Sequence, residues 1–263
     1  MCRTPTPSDQ NRVRRGPRFA FIAAMEREVA PLVRRWKVRA LEQGGRRYRL
    51  FEDGDAVLIC GGIGAEAARR ATEMVIQEAR PMRVVSVGFA GALDSTLKVA
   101  EVLEPRTVVN AADGVRTEAG SGRGTLVSYA APAGREQKQR LGTAYGAVAV
   151  DMEAAAVAQG AQVRRVEFAA LKAISDSADF SMPPTERFVA SDGRFRTARF
   201  VLHVALRPWL WGSTTALARN SARASRALCT AIESYLKRET SALELNQKQD
   251  RPELAGGHTL EKQ

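Results

Sequence analysis

The stretch at residues 18–36, RFAFIAAMEREVAPLVRRW, decides the fold class of this chain. Its first seven residues form a short, almost wholly apolar run that is typical of a buried strand. Apolar side chains then recur every three to four residues, which predicts an amphipathic helix built on Met25, Val29, Leu32, Val33 and Trp36. A strand that runs directly into a helix is the repeating unit of α/β proteins.

The same pattern returns along the chain. Further strands are predicted at 48–51, 56–60, 83–87, 102–109, 125–129, 147–150 and 167–174, and helices at 65–79, 135–145 and 152–163. We therefore predict one α/β domain at 18–238, with a largely parallel sheet covered by helices and further helices at the C-terminal end. The polar ends, 1–17 and 239–263, are predicted to be disordered tails.

Composition narrows the class of protein. The chain has 263 residues, of which 44% are apolar and 26% charged, enough for a substantial core. Its three cysteines, Cys2, Cys60 and Cys229, lie far apart and in no CxxC pattern, which argues against a disulfide scaffold or a structural zinc site. The longest apolar runs fall short of the ~18–20 residues of a membrane span. The basic N-terminus has too short an apolar stretch for a signal peptide, so we expect a cytoplasmic protein.

Positive charge is concentrated near the C-terminal end. The net charge is +11, and residues 193–238 hold nine Lys or Arg residues against Glu233 alone. A helix predicted at 214–236 would present one basic face, Arg219, Arg223 and Arg226, opposite an apolar face, Leu217, Leu228, Ile232 and Tyr235. Charge alone does not identify a partner, and no nucleic-acid-binding motif is recognisable, so nucleic acid is not an expected partner.

An apolar patch precedes that helix and consists of Leu206, Trp209, Leu210 and Trp211. Two interpretations remain open. The patch could pack on the core or on a second copy of the chain, with the basic face in solvent. Alternatively, this edge could rest on the anionic inner face of a membrane, where tryptophan settles at the headgroup level.

Carboxylates follow three of the predicted strands. In α/β sheets ligands bind at the carboxyl ends of the strands. Each acid could simply stabilise a helix N-terminus, but acids in such apolar surroundings have no packing role. The candidates come in pairs: Glu26 and Glu28, Asp151 and Glu153, and Asp176 and Asp179.

Two glycine-rich turns also follow strands. They are GGIG at 61–64 and GFAG at 88–91. Such turns often serve only to reverse the chain, but they also let backbone N–H groups approach a ligand. On the second interpretation the candidate substrate contacts are Gly64, Phe89, Ala90 and Gly91.

Five segments together resemble a known family. They are AFIAAMEREV, CGGIGAEAA, SVGFAGALDSTLKVAEVL, VAVDMEAAAVA and LKAISDSAD, in this order between residues 20 and 179. They resemble the purine nucleoside phosphorylase superfamily, and most closely its methylthioadenosine/S-adenosylhomocysteine nucleosidase branch. The resemblance implies a doubly wound α/β/α sandwich, cleavage of the N-glycosidic bond of an adenine-type nucleoside, and a homodimer or other homo-oligomer.

The resemblance also implies roles for individual residues. Asp176 corresponds to the acid that protonates the purine N7, and Ser175 would support the base site. Met152 and Glu153 correspond to the ribose-binding pair, and Glu28 to the carboxylate that activates water. Burial at an apolar strand end would raise the pKa of Asp176 and keep it protonated. Such a reaction needs no metal or redox cofactor, so we expect none.

Some positions depart from the family. Glu28 and the GFAG turn stand where phosphorylases hold phosphate with arginine, which favours hydrolysis. Phe89 and Lys172 replace a small hydroxyl residue and an arginine of the nucleosidases. Residues 105–128 form a shorter stretch than in the nucleosidases, a compactness that resembles the hopanoid-associated phosphorylases and suggests an adenosyl lipid as substrate. Phosphorolysis, and a nucleoside-binding module without turnover, remain the alternatives.

Overall fold

The computed structural model describes residues 17–43, 45–180 and 211–249. Within them, eleven strands join into one sheet: β1 (Phe19–Ala23), β2 (Lys37–Gln43), β3 (Arg46–Asp53), β4 (Ala56–Cys60), β5 (Arg83–Ala92), β6 (Val102–Leu103), β7 (Thr107–Asn110), β8 (Arg116–Glu118), β9 (Thr125–Ser128), β10 (Ala149–Asp151) and β11 (Glu167–Asp176). Five helices accompany them in the described residues: α1 (Glu26–Val33), α2 (Ala65–Ala79), α3 (Arg135–Tyr145), α4 (Ala154–Val163) and α5 (Trp211–Gln249).

The sheet opens beside its central strand. The main path runs β2-β3-β4-β1-β5-β10-β9-β7-β8, and β11 pairs with both β5 and β6. β5 is parallel to β1 as far as Ser86, and antiparallel to β10 from Gly91 onward. Between these points β5 keeps β11 as its parallel neighbour, while β1 and β10 diverge. This divergence creates a gap at residues 87–90, at the carboxyl ends of the parallel strands.

Helices cover both faces of the sheet. On one face, α1 and α5 pack over β1, β5 and β11, with Leu228 and Ile232 of α5 fully buried. On the other face, α2 and α4 cover the same strands through side chains such as Val75 and Val157. The three layers confirm the expected α/β sandwich.

A hydrogen bond near Pro31 links α1 to α5. Pro31 lies inside α1 and has no N–H, so the Arg27 carbonyl loses its helical partner four residues on. The Ser225 hydroxyl of α5 donates to that carbonyl at 3.2 Å. The sulfur of Cys229, one turn further along α5, lies 3.9 Å from the next carbonyl, that of Glu28. These contacts hold the turn of α1 that carries Glu28 against α5.

Several boundaries differ from the sequence-based prediction. The strand expected at 102–109 is two strands, because Pro105 lies between them and has no N–H for the ladder. The edge strands β2 and β8 were not predicted; both are rich in charged residues, as edge strands often are. The helix expected from 152 begins at Ala154.

The C-terminal boundary also differs. The final helix extends from Trp211 to Gln249, so 239–249 is helical and the end of the folded part at 238 was placed too early. Residues 239–249 are rich in Glu, Ala, Leu and Gln, which favour helix even where the helix is exposed. In the part of the chain that the structure describes, no helix combines the length and apolarity needed to cross a membrane.

Candidate active site

A cavity of about 740 Å³ opens at the gap beside β5. Eight of the nine residues that the sequence singled out for the site line it: Glu28, Phe89, Ala90, Gly91, Met152, Glu153, Ser175 and Asp176. The ninth, Gly64, donates its backbone N–H to Glu153 Oε1 at 2.8 Å. The fold therefore brings together acids that lie on three separate strand ends.

Glu28 is the buried member of the first acid pair. It is only 3% exposed, and its Oε2 accepts hydrogen bonds from the backbone N–H groups of Ala24 (3.1 Å) and Met25 (3.0 Å). Burial raises the pKa of Glu28, an effect that the Met25 hydrogen bond and the charge of Lys172 partly offset. A carboxylate with a raised pKa is a better acceptor for a proton from water. Glu26, in contrast, is exposed and pairs with Arg49 at 2.7 Å.

Glu153 stands at the start of α4. Burial, together with the nearby charge of Asp151, raises the pKa of Glu153 to about 7, although Lys172 and the Gly64 N–H act in the opposite direction. The positive φ of Gly64, 93°, belongs to a backbone conformation that favours glycine, and it lets this N–H point at the carboxylate. Glu153 is thus a carboxylate that can change its ionisation near neutral pH.

A buried cluster of charged and polar side chains, centred on Lys172 and Asp151, lies next to Glu153. Lys172 Nζ lies 2.9 Å from Asp151 Oδ2 and donates to Ser86 Oγ at 2.9 Å. Asp151 Oδ1 accepts from Ser128 Oγ at 2.5 Å, and its Oδ2 accepts from the backbone N–H of Ala154 at 2.9 Å. The last bond fixes the first turn of α4 and so places Glu153. A charged residue in the apolar strand EFAALKAISD is the sequence signal for such a cluster.

A β-bulge presents Asp176 to the cavity. Ile174 pairs with Ala90 and Asp176 with Gly91, so Ser175 is an extra residue in β11. Bulges next to active sites redirect side chains, and here the Ser175 hydroxyl donates to Asp176 Oδ1 at 2.6 Å. A Cβ atom at Gly91 would lie 2.9 Å from Asp176 Oδ2. Glycine is therefore required opposite this carboxylate.

The electrostatic environment of Asp176 differs from the expected one. The sequence predicted apolar burial, whereas the ammonium group of Lys138 on α3 donates a hydrogen bond to Asp176 Oδ2. The same ammonium group donates to the Ser177 carbonyl at 2.6 Å. Each side chain of this ion pair is only 2% exposed. Asp176 is buried beside the apolar strand end as predicted, but its charged partner Lys138 was missed because the sequence of α3 is typical of a polar surface helix.

The cavity continues outward between α1 and α5. Ala30, Pro31 and Arg34 line this outer chamber from α1, and Leu217, Ala218, Ser221, Ala222 and Arg226 line it from α5. Leu217, which the sequence placed on the apolar face of the helix, borders the chamber. Arg219 and Arg223 are exposed, as predicted. Sequence reasoning did not predict that α5 contributes to the site.

Other predicted features lie elsewhere. Leu206, Trp209 and Leu210 of the apolar patch fall outside the described residues, and Trp211 is the first residue of α5. Among the described residues, no cluster of three or more His, Cys, Asp or Glu side chains could hold a metal ion.

The fold and the site define the class of protein. The chain belongs to the Phosphorylase superfamily, whose family profile matches residues 18–136 and 122–204. This match confirms the family expected from the sequence and, with it, that the protein is an enzyme.

The individual proteins that are similar to this chain include three nucleosidases. The chain is 27% identical over 200 residues to the 5'-methylthioadenosine/S-adenosylhomocysteine nucleosidase of Staphylococcus epidermidis, a match that covers 61% of this chain and 87% of that one. It is 32% identical over 96 residues to the nucleosidase of the same description from a Marinomonas species, covering 35% of this chain and only 41% of the relative. The fold is similar to that of the Helicobacter pylori nucleosidase, with a TM-score of 0.65, 17% identity, and coverage of 85% and 99% of the two chains.

Proposed function

We propose that this protein hydrolyses the N-glycosidic bond of an adenine-type nucleoside. The observation that carries the proposal is the convergence of Glu28, Glu153 and Asp176 on one cavity. The nucleosidase relatives support the same reaction and the same substrate class.

Each acid has a distinct part in the proposed reaction. A proton delivered at Asp176 to the purine ring makes the base a better leaving group, and such general acid catalysis contributes about 10²- to 10⁴-fold. The electron pair of the broken C–N bond stays with the purine, which leaves the anomeric carbon cationic. Glu153, bound to the ribose hydroxyls, stabilises that developing charge. Glu28 accepts a proton from the water that attacks the anomeric carbon.

Hydrolysis is favoured over phosphorolysis because the part of the cavity next to Glu28 is acidic. A phosphate ion there would be repelled by Glu28 and Glu153 in their ionised forms. The arginine residues that line the cavity are Arg27, next to Glu28 in the chain, and Arg34 and Arg226 at the outer chamber.

The test is incubation with methylthioadenosine, S-adenosylhomocysteine and adenosine, with and without phosphate. We expect free ribose or its 5'-substituted form, at a rate that phosphate does not change. Formation of the sugar 1-phosphate would show a phosphorylase. Tight binding of the nucleosides without release of base would show a binding module.

We further propose that the preferred substrate carries a large apolar 5' group, as in an adenosyl lipid of the hopanoid type. The supporting observation is the outer chamber, where Pro31 and Leu217 offer apolar surface beyond the acids. Each CH₂ buried there would contribute about 0.8 kcal/mol, roughly a fourfold gain in affinity. We expect kcat/KM to rise across adenosines with 5' alkyl groups of increasing length.

A matched pair of variants tests the chamber. Ser221→Phe places a ring in the chamber, whereas Thr230→Phe adds the same ring at an exposed position of α5. Ser221→Phe should reduce kcat/KM for the long substrates while sparing adenosine, and Thr230→Phe should spare both. Efficiency that falls steadily with 5' length in the unaltered protein would contradict the lipid substrate.

A lipid-linked substrate would reside at a membrane, so we also propose peripheral contact through the basic face of α5. Arg219 and Arg223 are exposed and available to anionic headgroups. Co-sedimentation with vesicles containing phosphatidylglycerol should exceed that with phosphatidylcholine alone, and Trp209→Ser/Trp211→Ser should weaken it. Equal sedimentation with both vesicles would contradict the contact. A homo-oligomer, the other expected partner, is testable by light scattering.

A further inference from the structure

We propose that Lys138 supplies the proton that the leaving base receives, with Asp176 passing it on. The inference rests on the proposed function and deepens it, because neither the sequence motifs nor the relatives assign a role to Lys138. It concerns only the protonation of the leaving base.

The geometry of the pair carries this inference. Lys138 lines the cavity, and its ammonium group donates to Asp176 Oδ2 and to the Ser177 carbonyl. Asp176 Oδ1 accepts the Ser175 hydroxyl. Both oxygens of Asp176 therefore accept hydrogen bonds, which is the arrangement of an ionised carboxylate. The proton available at this end of the cavity lies on the lysine nitrogen.

Lys138 is not the only group that holds Asp176 in place. The β-bulge at Ser175 and the Ser175 hydroxyl already orient the carboxylate. A lysine whose only effect was to keep Asp176 ionised would work against general acid catalysis, because the acid must give a proton to the base. Lysine can also give up its proton in proteins, whereas arginine does not.

The proposed step balances as follows. The C1'–N9 bond breaks and its electron pair remains on the purine. One proton moves from Lys138 Nζ to the Asp176 carboxylate and then from Asp176 to the purine N7, so Asp176 ends as a carboxylate again and Lys138 as a neutral amine. Water bonds to C1' and gives its proton to Glu28. The proton on Glu28 and the one missing from Lys138 are then exchanged with solvent after product release.

Three variants test the role of Lys138. Lys138→Met keeps the length of the side chain without a proton, and Lys138→Arg keeps the positive charge on a group that does not deprotonate in proteins. Arg140→Met is the control, since Arg140 is an exposed residue of the same helix, paired only with Glu136 among the contacts of its side chain that the structure describes. Each is assayed on adenosine and on 4-nitrophenyl riboside, whose phenolate leaves without being protonated.

We expect Lys138→Met and Lys138→Arg to lose about 10²-fold or more in kcat on adenosine, but less than about fivefold on the nitrophenyl riboside. Arg140→Met should behave as the unaltered protein on both. Thermal unfolding of each variant verifies that it is folded.

Other outcomes would overturn the inference. Recovery of the full rate on adenosine in Lys138→Arg would show that only the charge matters. Equal losses on both substrates would show a structural role, and an unchanged or faster Lys138→Met would show that Asp176 acts alone. If the unaltered protein cleaved no nucleoside at all, the proposed function itself would fail, and this inference with it.

Discussion

Lys172 Nζ lies 2.9 Å from Asp151 Oδ2, and the two side chains are almost completely removed from solvent, at 1% and 0% exposed. The pair joins β11 to the end of β10, directly beneath Glu153. Because Asp151 also binds the backbone of Ala154, the ion pair and the start of α4 form one unit. The position of Glu153 therefore depends on a buried ion pair.

Removing the lysine should destabilise the protein strongly. Lys172→Met leaves the charge of Asp151 buried without its partner, and we expect a loss of about 3–5 kcal/mol in the free energy of unfolding. Denaturant unfolding measures this. The double variant Lys172→Met/Asp151→Asn should recover part of the loss, since it removes both charges. A loss below about 1 kcal/mol in the single variant would contradict the importance of the pair.

The raised pKa of Glu153 predicts opposite effects of pH on stability and on activity. Its pKa is about 7 in the folded protein against an ordinary value of 4.5, so the folded state binds this proton more tightly than the unfolded chain. The contribution of Glu153 to stability is full below pH 4.5 and is lost as pH rises through about 7. Activity should rise over the same range, because in the proposed reaction the ionised carboxylate stabilises the cationic ribose.

The variant Glu153→Gln isolates both effects. The difference in unfolding free energy between the protein and this variant should change between pH 4.5 and 7, in the direction of a relatively less stable protein at the higher pH. Its kcat should be low and lack the rise near pH 7. A difference in stability that stays constant with pH would contradict the assigned environment of Glu153.

Substitutions of Glu28 and Glu26 should have clearly different effects on kcat. Glu28→Gln removes the proposed acceptor for the proton of water, and we expect kcat to fall by about 10²- to 10⁴-fold. Glu26→Gln breaks only the exposed contact with Arg49 and should leave kcat nearly unchanged. Steady-state kinetics on one nucleoside measures both. Equal damage from the two substitutions would reject Glu28 as the specific base.

A methyl group at Gly91 should impair the site. Gly91→Ala places a Cβ atom 2.9 Å from Asp176 Oδ2 and 3.1 Å from Lys138 Cε, so the ion pair must shift. We expect a loss of kcat of at least about tenfold, since small displacements of catalytic groups are costly. Gly142→Ala is the control: it lies within α3, and its nearest contacts would be at 3.7 Å. That variant should keep activity and gain up to about 1 kcal/mol in stability.

The sequence by itself determined the class of fold and most of the acids. The apolar strand at 18–24 with its following helix, and the repetition of that unit, specify an α/β sandwich because apolar periodicity is a local property of the chain. Acids directly after strands were also identifiable, because parallel strands bring their carboxyl ends to one edge of the sheet. Glu28, Glu153 and Asp176 all follow this rule.

Only the tertiary structure decided which basic side chains pair with the acids of the site. Lys138 lies in a polar helix, and nothing local distinguishes it from its exposed neighbour Arg140; its burial against Asp176 results from how α3 packs. The outer chamber likewise depends on how α5 packs beside α1, where the Ser225 hydroxyl donates to the Arg27 carbonyl although 198 residues separate the two. Contacts between residues so far apart in sequence depend on packing and charge pairing in three dimensions, which no local pattern records.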